Sequence, residues 1–89
     1  MKINNIVWDE NTIYHIARHG VEPIEVEEVG FENNPFILKA KHNRYFALGQ
    51  TKNDRYLTIV FEYLGQNKAK IITARAMSGS ERRLFKKRS

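Results

Sequence analysis

The sequence predicts an α+β fold in which an antiparallel β-sheet meander carries two N-terminal helices and a C-terminal helix. Apolar residues recur at helical spacing in the first third of the chain. The middle is rich in β-branched and aromatic residues separated by turn-like segments, and the C-terminal segment opens with a helix-capping pattern. With 89 residues and 42% apolar content, the chain is expected to be a single domain, residues 1–89, built in two layers around one core.

A short strand and a capped helix are predicted at the N-terminus. The segment 4–9 favours a strand with Ile6 and Trp8 on one face. Asp9 can cap a helix near 10–19, because its carboxylate can accept hydrogen bonds from the first-turn amides. Ile13, Ile16 and Ala17 then form one apolar stripe at helical spacing, which should face the sheet.

A second helix near 23–30 is predicted from Pro23, which fits a first helical turn, and from the glutamates that follow it. Gly20 precedes it and suits the left-handed position that closes the first helix. A polar break at 32–35, with the sequence ENNP, separates these helices from the strands.

Four strands and a last helix complete the predicted order. The strands are expected at 36–40, 44–50, 55–63 and 69–76. The segments KHN, TKND and LGQN between them predict connections short enough for antiparallel neighbours. A basic helix near 79–87 follows, with Ser78 as its cap and Glu81 reaching back to the cap amide.

Charge is distributed unevenly along the chain. Residues 1–34 hold two basic and seven acidic residues, whereas 35–89 hold thirteen basic and three acidic residues, so the formal net charges are −5 and +10. A basic half of this kind can attract a polyanion such as nucleic acid, while the acidic segment repels one. A solvated surface with uneven charge and no such role is the alternative that composition leaves open.

The residue inventory excludes several classes of site. The chain has no cysteine, which removes disulfides, thiolate metal sites and a cysteine nucleophile. Its longest apolar stretch is too short to span a bilayer, so a soluble cytoplasmic protein without membrane contact is expected. His15 and His19 share a helix face, but a zinc site needs a third ligand, so we expect neither a metal nor a cofactor. The glycines form neither a phosphate loop nor a dinucleotide fingerprint.

The candidates that remain are cations and one imidazole: Arg18, His19, Arg44, Arg75, Arg82 and Arg83. Metal-free RNA cleavage could use such a set, because the 2′-hydroxyl of RNA can itself attack the adjacent phosphorus. Arginine pairs with two phosphate oxygens at once, and histidine suits the proton transfers. Each residue alone also has a structural explanation. Arg75, for example, could pair with Glu62 across the sheet, and Arg82 and Arg83 could be solubilising charge.

Five motifs along the chain are arranged as in a known family. They are VWDE at 7–10, RHGV at 18–21, Arg44 with Gly49 five residues later, IITARAM at 71–77 and SERR at 80–83. In order and spacing they resemble BrnT-type toxins, small bacterial ribonucleases of type II toxin–antitoxin pairs with a RelE-like α+β fold. The resemblance runs from Val7 to about Phe85.

The resemblance implies an endoribonuclease that cleaves RNA, arrests translation and is neutralised by a DNA-binding antitoxin in a hetero-oligomer. By motif match it implies that Arg44 and Arg75 stabilise the phosphorane and that His19 transfers a proton. RNA would be positioned by Arg18, Thr73, Arg82 and Arg83. The alternative, from another class, is a non-catalytic module on the same fold that binds nucleic acid or protein.

Overall fold

The computed structural model describes residues 2–32 and 34–88 and contains eight regular elements in these ranges. They are β1 (Asn5–Val7), α1 (Glu10–Arg18), α2 (Pro23–Glu27), β2 (Phe36–Lys39), β3 (Arg44–Gln50), β4 (Tyr56–Gly65), β5 (Lys68–Ala76) and α3 (Gly79–Lys87), with a π-helical segment (Glu28–Glu32) continuing α2. The predicted break at 32–35 includes Asn33, which lies outside the described residues. No helix within the described ranges has the length and apolar character needed to cross a membrane.

The five strands form one mixed sheet in the order β1-β5-β4-β3-β2. Strands β2 to β5 make the antiparallel meander that the sequence predicts. However, β1 pairs parallel with β5, with Asn5 opposite Lys68 and Val7 opposite Lys70, so the prediction of a purely antiparallel sheet is wrong. Parallel neighbours need a long connection, and the intervening helices and meander supply it.

Two tight turns set the register of the meander. His42 and Asn43 both have φ of 60° between β2 and β3, and Gln66 and Asn67 have φ of 53° and 61° between β4 and β5. Two successive left-handed residues form the type I′ geometry, whose twist matches that of an antiparallel pair. Because side chains alternate between the faces of a sheet, this register decides which residues lie together.

Helices cover both faces of the sheet, so the predicted two-layer arrangement around one core is wrong. On one face, Ile16 of α1 is buried in a cluster with Ile59 and Ala47. On the other face, Phe85 of α3 is buried against Leu48. Ala47 and Leu48 are consecutive in β3 and therefore point to opposite sides. The sheet is the middle of three layers, with a small core on each side.

Local signals define the ends of α1 as expected. Asp9 accepts a hydrogen bond from the amide of Asn11 at 2.8 Å. At the other end, Gly20 has φ of 71°, and the amides of Gly20 and Val21 donate back into the last helical turn at 2.9 and 3.0 Å. This left-handed closure holds His19 at the C-terminal end of α1.

The π-helical segment packs closely on β3. Val29 is fully buried there, and a Cβ added to Gly49 would lie 2.9 Å from Val29 Cγ1. Glycine is therefore required at position 49 for this close approach of helix and strand.

Candidate functional site

The face of the sheet that carries α3 presents three rows of side chains across β3, β4 and β5. The strand register defines the rows as Leu48–Thr58–Arg75, Phe46–Val60–Thr73 and Arg44–Glu62–Lys70. We call these rows, together with α3, the α3 face. Arg44, Thr73 and Arg75, which sequence analysis selected, therefore share one face of the sheet.

Arg75 forms a two-pronged ion pair with Glu81 of α3. Its Nη1 and Nη2 donate to Oε1 and Oε2 of Glu81 at 2.7 and 2.9 Å, and Nη1 also donates to the carbonyl of Ala76 at 3.3 Å. The alternative pairing with Glu62 is not the one formed, because the register places Glu62 opposite Arg44. The ion pair ties the first turn of α3 to the end of β5.

Glu81 takes part in further hydrogen bonds at the start of α3. The hydroxyl of buried Thr58 donates to it at 2.9 Å and the amide of Ser78 at 2.8 Å, while the Glu81 amide donates to Ser78 Oγ at 3.2 Å. The predicted capping box is thus confirmed. The hydrogen bond from Arg75, followed by those from Ser78 and Thr58, lowers the pKa of the Glu81 carboxyl to about 2. The same contact with Glu81 raises the pKa of Arg75.

One edge of the Arg75 guanidinium stays open to a ligand. Three of its five N–H groups donate to Glu81 and Ala76, which leaves Nε–H and one Nη2–H without a partner in residues 2–32 and 34–88. The side chain is 37% exposed. Two adjacent N–H groups on one guanidinium edge match the spacing of two phosphate oxygens, so Arg75 can hold α3 and an anion at once.

Thr73 and Arg44 lie at increasing distances from Arg75 along the α3 face. Thr73 is one row away on the same strand, whereas Arg44 is two strands and two rows away. From strand spacing and rise, the α-carbons of Arg44 and Arg75 are roughly 16 Å apart. Arg44 therefore does not lie beside Arg75, although both are on the α3 face.

The two arginines of α3 have different surroundings. The guanidinium of Arg82 lies over the ring of Tyr56, 4.2 Å from its centroid, and Lys86 Nζ lies 5.5 Å from the same centroid. Arg83 instead donates to Ser80 Oγ at 3.4 Å, near the start of the helix. The cation–π contact fixes the position of the Arg82 charge beside the start of β4.

Arg18 and His19 belong to the opposite layer of the molecule, at the end of α1. Both are exposed, and the His19 ring meets that of His15 with centroids 5.0 Å apart. The adjacent carbonyl of Gly20 accepts a hydrogen bond from Arg55 Nη1 at 2.9 Å. Because Arg55 directly precedes β4, this turn lies at the end of the sheet where β4 begins and α3 starts.

An open pocket of about 330 Å³ lies at this end of the sheet. Its lining residues are Asp54, Arg55, Tyr56, Ala76, Met77 and Arg82. It thus joins Arg55, which contacts the turn carrying His19, to Arg82 of the α3 face. A cavity of about 370 Å³ on the other face is lined mainly by aliphatic side chains such as Ile37 and Ile71, a surface that does not attract an anion.

Three residues of this site are absent from the sequence-based candidates: Arg55, Tyr56 and Thr58. The one sequence signal for Thr58 is a polar residue inside an apolar strand, and Arg55 directly follows the turn-like TKND segment. Neither signal identifies a partner. Within the described residues, no group of three or more His, Cys, Asp or Glu side chains is arranged to hold a metal ion.

Two comparisons with known proteins found similarities. A protein-family model described as "Ribonuclease toxin, BrnT, of type II toxin-antitoxin system" matches residues 8–81. The 1.1 Å crystal structure of the Brucella abortus ribonuclease toxin BrnT has a similar fold, with a TM-score of 0.68 and 23% sequence identity over 83% of this chain and 96% of that chain. No protein of curated function matches the sequence. The residues matched by the family run from the position directly after β1 to the first turn of α3.

Proposed function

Since the chain belongs to the BrnT family of ribonuclease toxins of type II toxin–antitoxin systems, we propose that it is an endoribonuclease that cleaves RNA and so inhibits translation. The observation that carries the proposal is the Arg75 guanidinium, which Glu81 holds in place while one edge stays open. A cation fixed in advance stabilises charge that develops in a transition state without a cost of reorganisation. The BrnT-type resemblance seen in the sequence is confirmed by the family match; a RelE-like fold and a cytoplasmic location are proposed with it.

The proposed reaction uses the 2′-hydroxyl of the RNA as nucleophile. Its oxygen bonds to the adjacent phosphorus and its proton passes to a base, while the bond from phosphorus to the next 5′-oxygen breaks and that oxygen takes up a proton. The products carry a 2′,3′-cyclic phosphate and a 5′-hydroxyl. Histidine and arginine side chains can supply the proton transfers and the charge stabilisation, so the proposal includes no metal or cofactor.

We propose a role for each candidate residue that is compatible with where its side chain lies. We assign Arg75 to the phosphorane and His19, at the same end of the sheet, to a proton transfer. Arg44, which sequence analysis assigned to the phosphorane, lies two rows away, so we place it on a neighbouring phosphate. The residues proposed to position the RNA backbone are Arg18, Thr73, Arg82 and Arg83.

Incubation of the purified protein with ribosome-free RNA in EDTA tests this function. We expect cleavage, with 2′,3′-cyclic phosphate ends on the products. Once the cut site is mapped, a matched RNA with a 2′-deoxy sugar at that nucleotide should bind with similar affinity and stay intact, because it lacks the nucleophile. Binding without cleavage of either RNA would identify the non-catalytic alternative, and cleavage of the deoxy substrate would exclude the 2′-hydroxyl mechanism.

We further propose that a DNA-binding antitoxin, encoded beside this chain, neutralises it in a hetero-oligomer. The family implies an antitoxin, and the net charge of +10 over residues 35–89 favours an acidic segment as the part that covers the α3 face. Expression of the chain alone should inhibit growth, and co-expression of the neighbouring reading frame should restore growth and yield a complex that co-purifies. Normal growth at confirmed soluble expression would contradict a toxin, and rescue without co-purification would contradict direct neutralisation.

A further inference from the structure

Arg55 connects the turn that carries His19 to the body of the sheet. Its Nη1 donates to the carbonyl of Gly20 at 2.9 Å and to both carboxylate oxygens of Glu25 at 2.8 and 2.7 Å. Glu25 in turn accepts from the amide of Glu22 at 3.0 Å. One guanidinium thus joins the end of α1 and the start of α2 to the residue before β4.

Among the described residues, the other hydrogen bonds and the ring contact of the His19 turn lie within α1 or directly after it. The amides of Gly20 and Val21 bond to carbonyls of the last helical turn, and the His19 ring meets the ring of His15 in the same helix. These contacts set the local shape of the turn and move with the helix. Burial of Ile16 and Val21 in the core holds the turn against the sheet. The hydrogen bond from Arg55 additionally ties the carbonyl next to His19 to the residue that precedes β4.

We propose that Arg55 is a positioning residue of the ribonuclease site, holding His19 at the end of the sheet occupied by Arg75. The inference rests on the proposed function. Proton transfer requires the two heavy atoms to approach to about 3 Å, and a displacement of about 1 Å can cost up to roughly 100-fold in rate. A loosened turn should therefore lower turnover while leaving RNA affinity nearly unchanged.

Direct binding of RNA by Arg55 would have a different kinetic effect, on KM instead of kcat. Arg55 lines the pocket shared with Arg82, and within the described residues its Nε and Nη2 groups have no hydrogen-bond partner. A phosphate contact from that edge would contribute to affinity and so act mainly on KM. The division of the effect between kcat and KM consequently separates positioning from binding.

A double-mutant cycle tests the proposal through cleavage kinetics. Arg55→Ala should lower kcat about tenfold with little change in KM in the wild-type background, and less than about twofold when His19 is already alanine, because Arg55 acts through His19. Arg88→Ala is the matched control, since Arg88 also donates to a backbone carbonyl, that of Phe85, at 2.8 Å; it should leave kcat unchanged. A loss of similar size in both backgrounds, or a loss confined to KM, would overturn the proposal.

Amide hydrogen exchange supplies a readout that needs no RNA cleavage. Arg55→Ala should speed exchange at Gly20 and Val21 by about tenfold, whereas Arg88→Ala should not, because the tether lost is specific to this turn. If Arg55→Ala does not fold, Arg55→Met replaces it under the same criteria, since methionine keeps much of the aliphatic stem but has no hydrogen-bond donor. Absence of cleavage by the wild-type protein overturns the proposed function, whereas unchanged exchange in the Arg55 variant overturns the tether, so the two failures are distinguishable.

Discussion

Replacement of Arg75 with alanine should lower kcat for RNA cleavage about 100-fold, which corresponds to roughly 3 kcal/mol of lost transition-state stabilisation. The guanidinium is held by two hydrogen bonds to Glu81, so its open edge is oriented before the charge on phosphorus develops. Rates measured at saturating RNA isolate this effect from lost affinity. Arg75→Lys keeps the charge but loses the paired donors, and we expect an intermediate loss of about tenfold.

The controls for Arg75 must separate catalysis from folding, because the same substitution leaves Glu81 without its ionic partner. Each variant is therefore assayed well below its own unfolding temperature, with a near-native spectrum as the criterion for folding. Arg88→Ala removes an equal charge from α3's C-terminal cap and should cleave at the wild-type rate. If folded Arg75→Ala cleaves nearly as fast as wild type, then Arg75 serves the Glu81 ion pair alone and its catalytic assignment is wrong.

Replacement of Glu81 with alanine should lower the free energy of unfolding by about 3 kcal/mol. The buried hydroxyl of Thr58 and the amide of Ser78 both lose their acceptor, and Arg75 loses its ion pair. In a domain of this size each kcal/mol corresponds to roughly 4–8 °C, so Tm should fall by about 15 °C. Glu27→Ala, at an exposed glutamate that ends α2, is the matched control and should change Tm little. A fall in Tm no larger than that of the control would show that the Glu81 contacts make no net contribution to the free energy of unfolding.

The same carboxylate should make stability depend on pH in a defined window. Its pKa is lowered from 4.5 to about 2 in the folded chain, so its contribution is fully present above pH 4.5 and is lost as the pH falls from there toward 2. The contribution is on the order of 2 kcal/mol, discounted because Arg75 is 37% exposed. Urea unfolding at a series of pH values should show this loss in the wild type and a flatter curve in Glu81→Gln. Parallel curves for the two proteins would contradict the lowered pKa.

The sequence by itself determined where most elements begin and end. Asp9, Gly20 and Ser78 close helix ends through hydrogen bonds to residues only a few positions away, and α3 occupies 79–87 as predicted. The turns of the meander depend on left-handed residues within the turns themselves. Such interactions join residues only a few positions apart, so they can be predicted from the sequence.

Only the tertiary structure decided which faces and layers these elements occupy. The parallel pairing of β1 with β5 joins residues from opposite ends of the chain, and no local pattern specifies it. The helical spacing of Ile13, Ile16 and Ala17 predicts one apolar stripe on α1, yet Ile16 alone of the three is buried. Which of the three residues is buried depends on how α1 lies against the sheet. Packing of the whole core cluster determines that position.

For the candidate site as well, the sequence indicated which residues take part, and the tertiary structure decided which of them lie together. The sequence motifs selected Arg75, Thr73 and Arg82, and the fold brings these three to one face at one end of the sheet. The partner of Arg75 could not be read from the sequence, because a shift of one residue in strand register turns every side chain to the other face. The contact of Arg55 with Gly20, 35 residues away, could not be read from the sequence either. The chemical groups available to a site can be read from the residue types in the sequence. Whether these side chains come together depends on strand register and helix docking, which long-range packing determines.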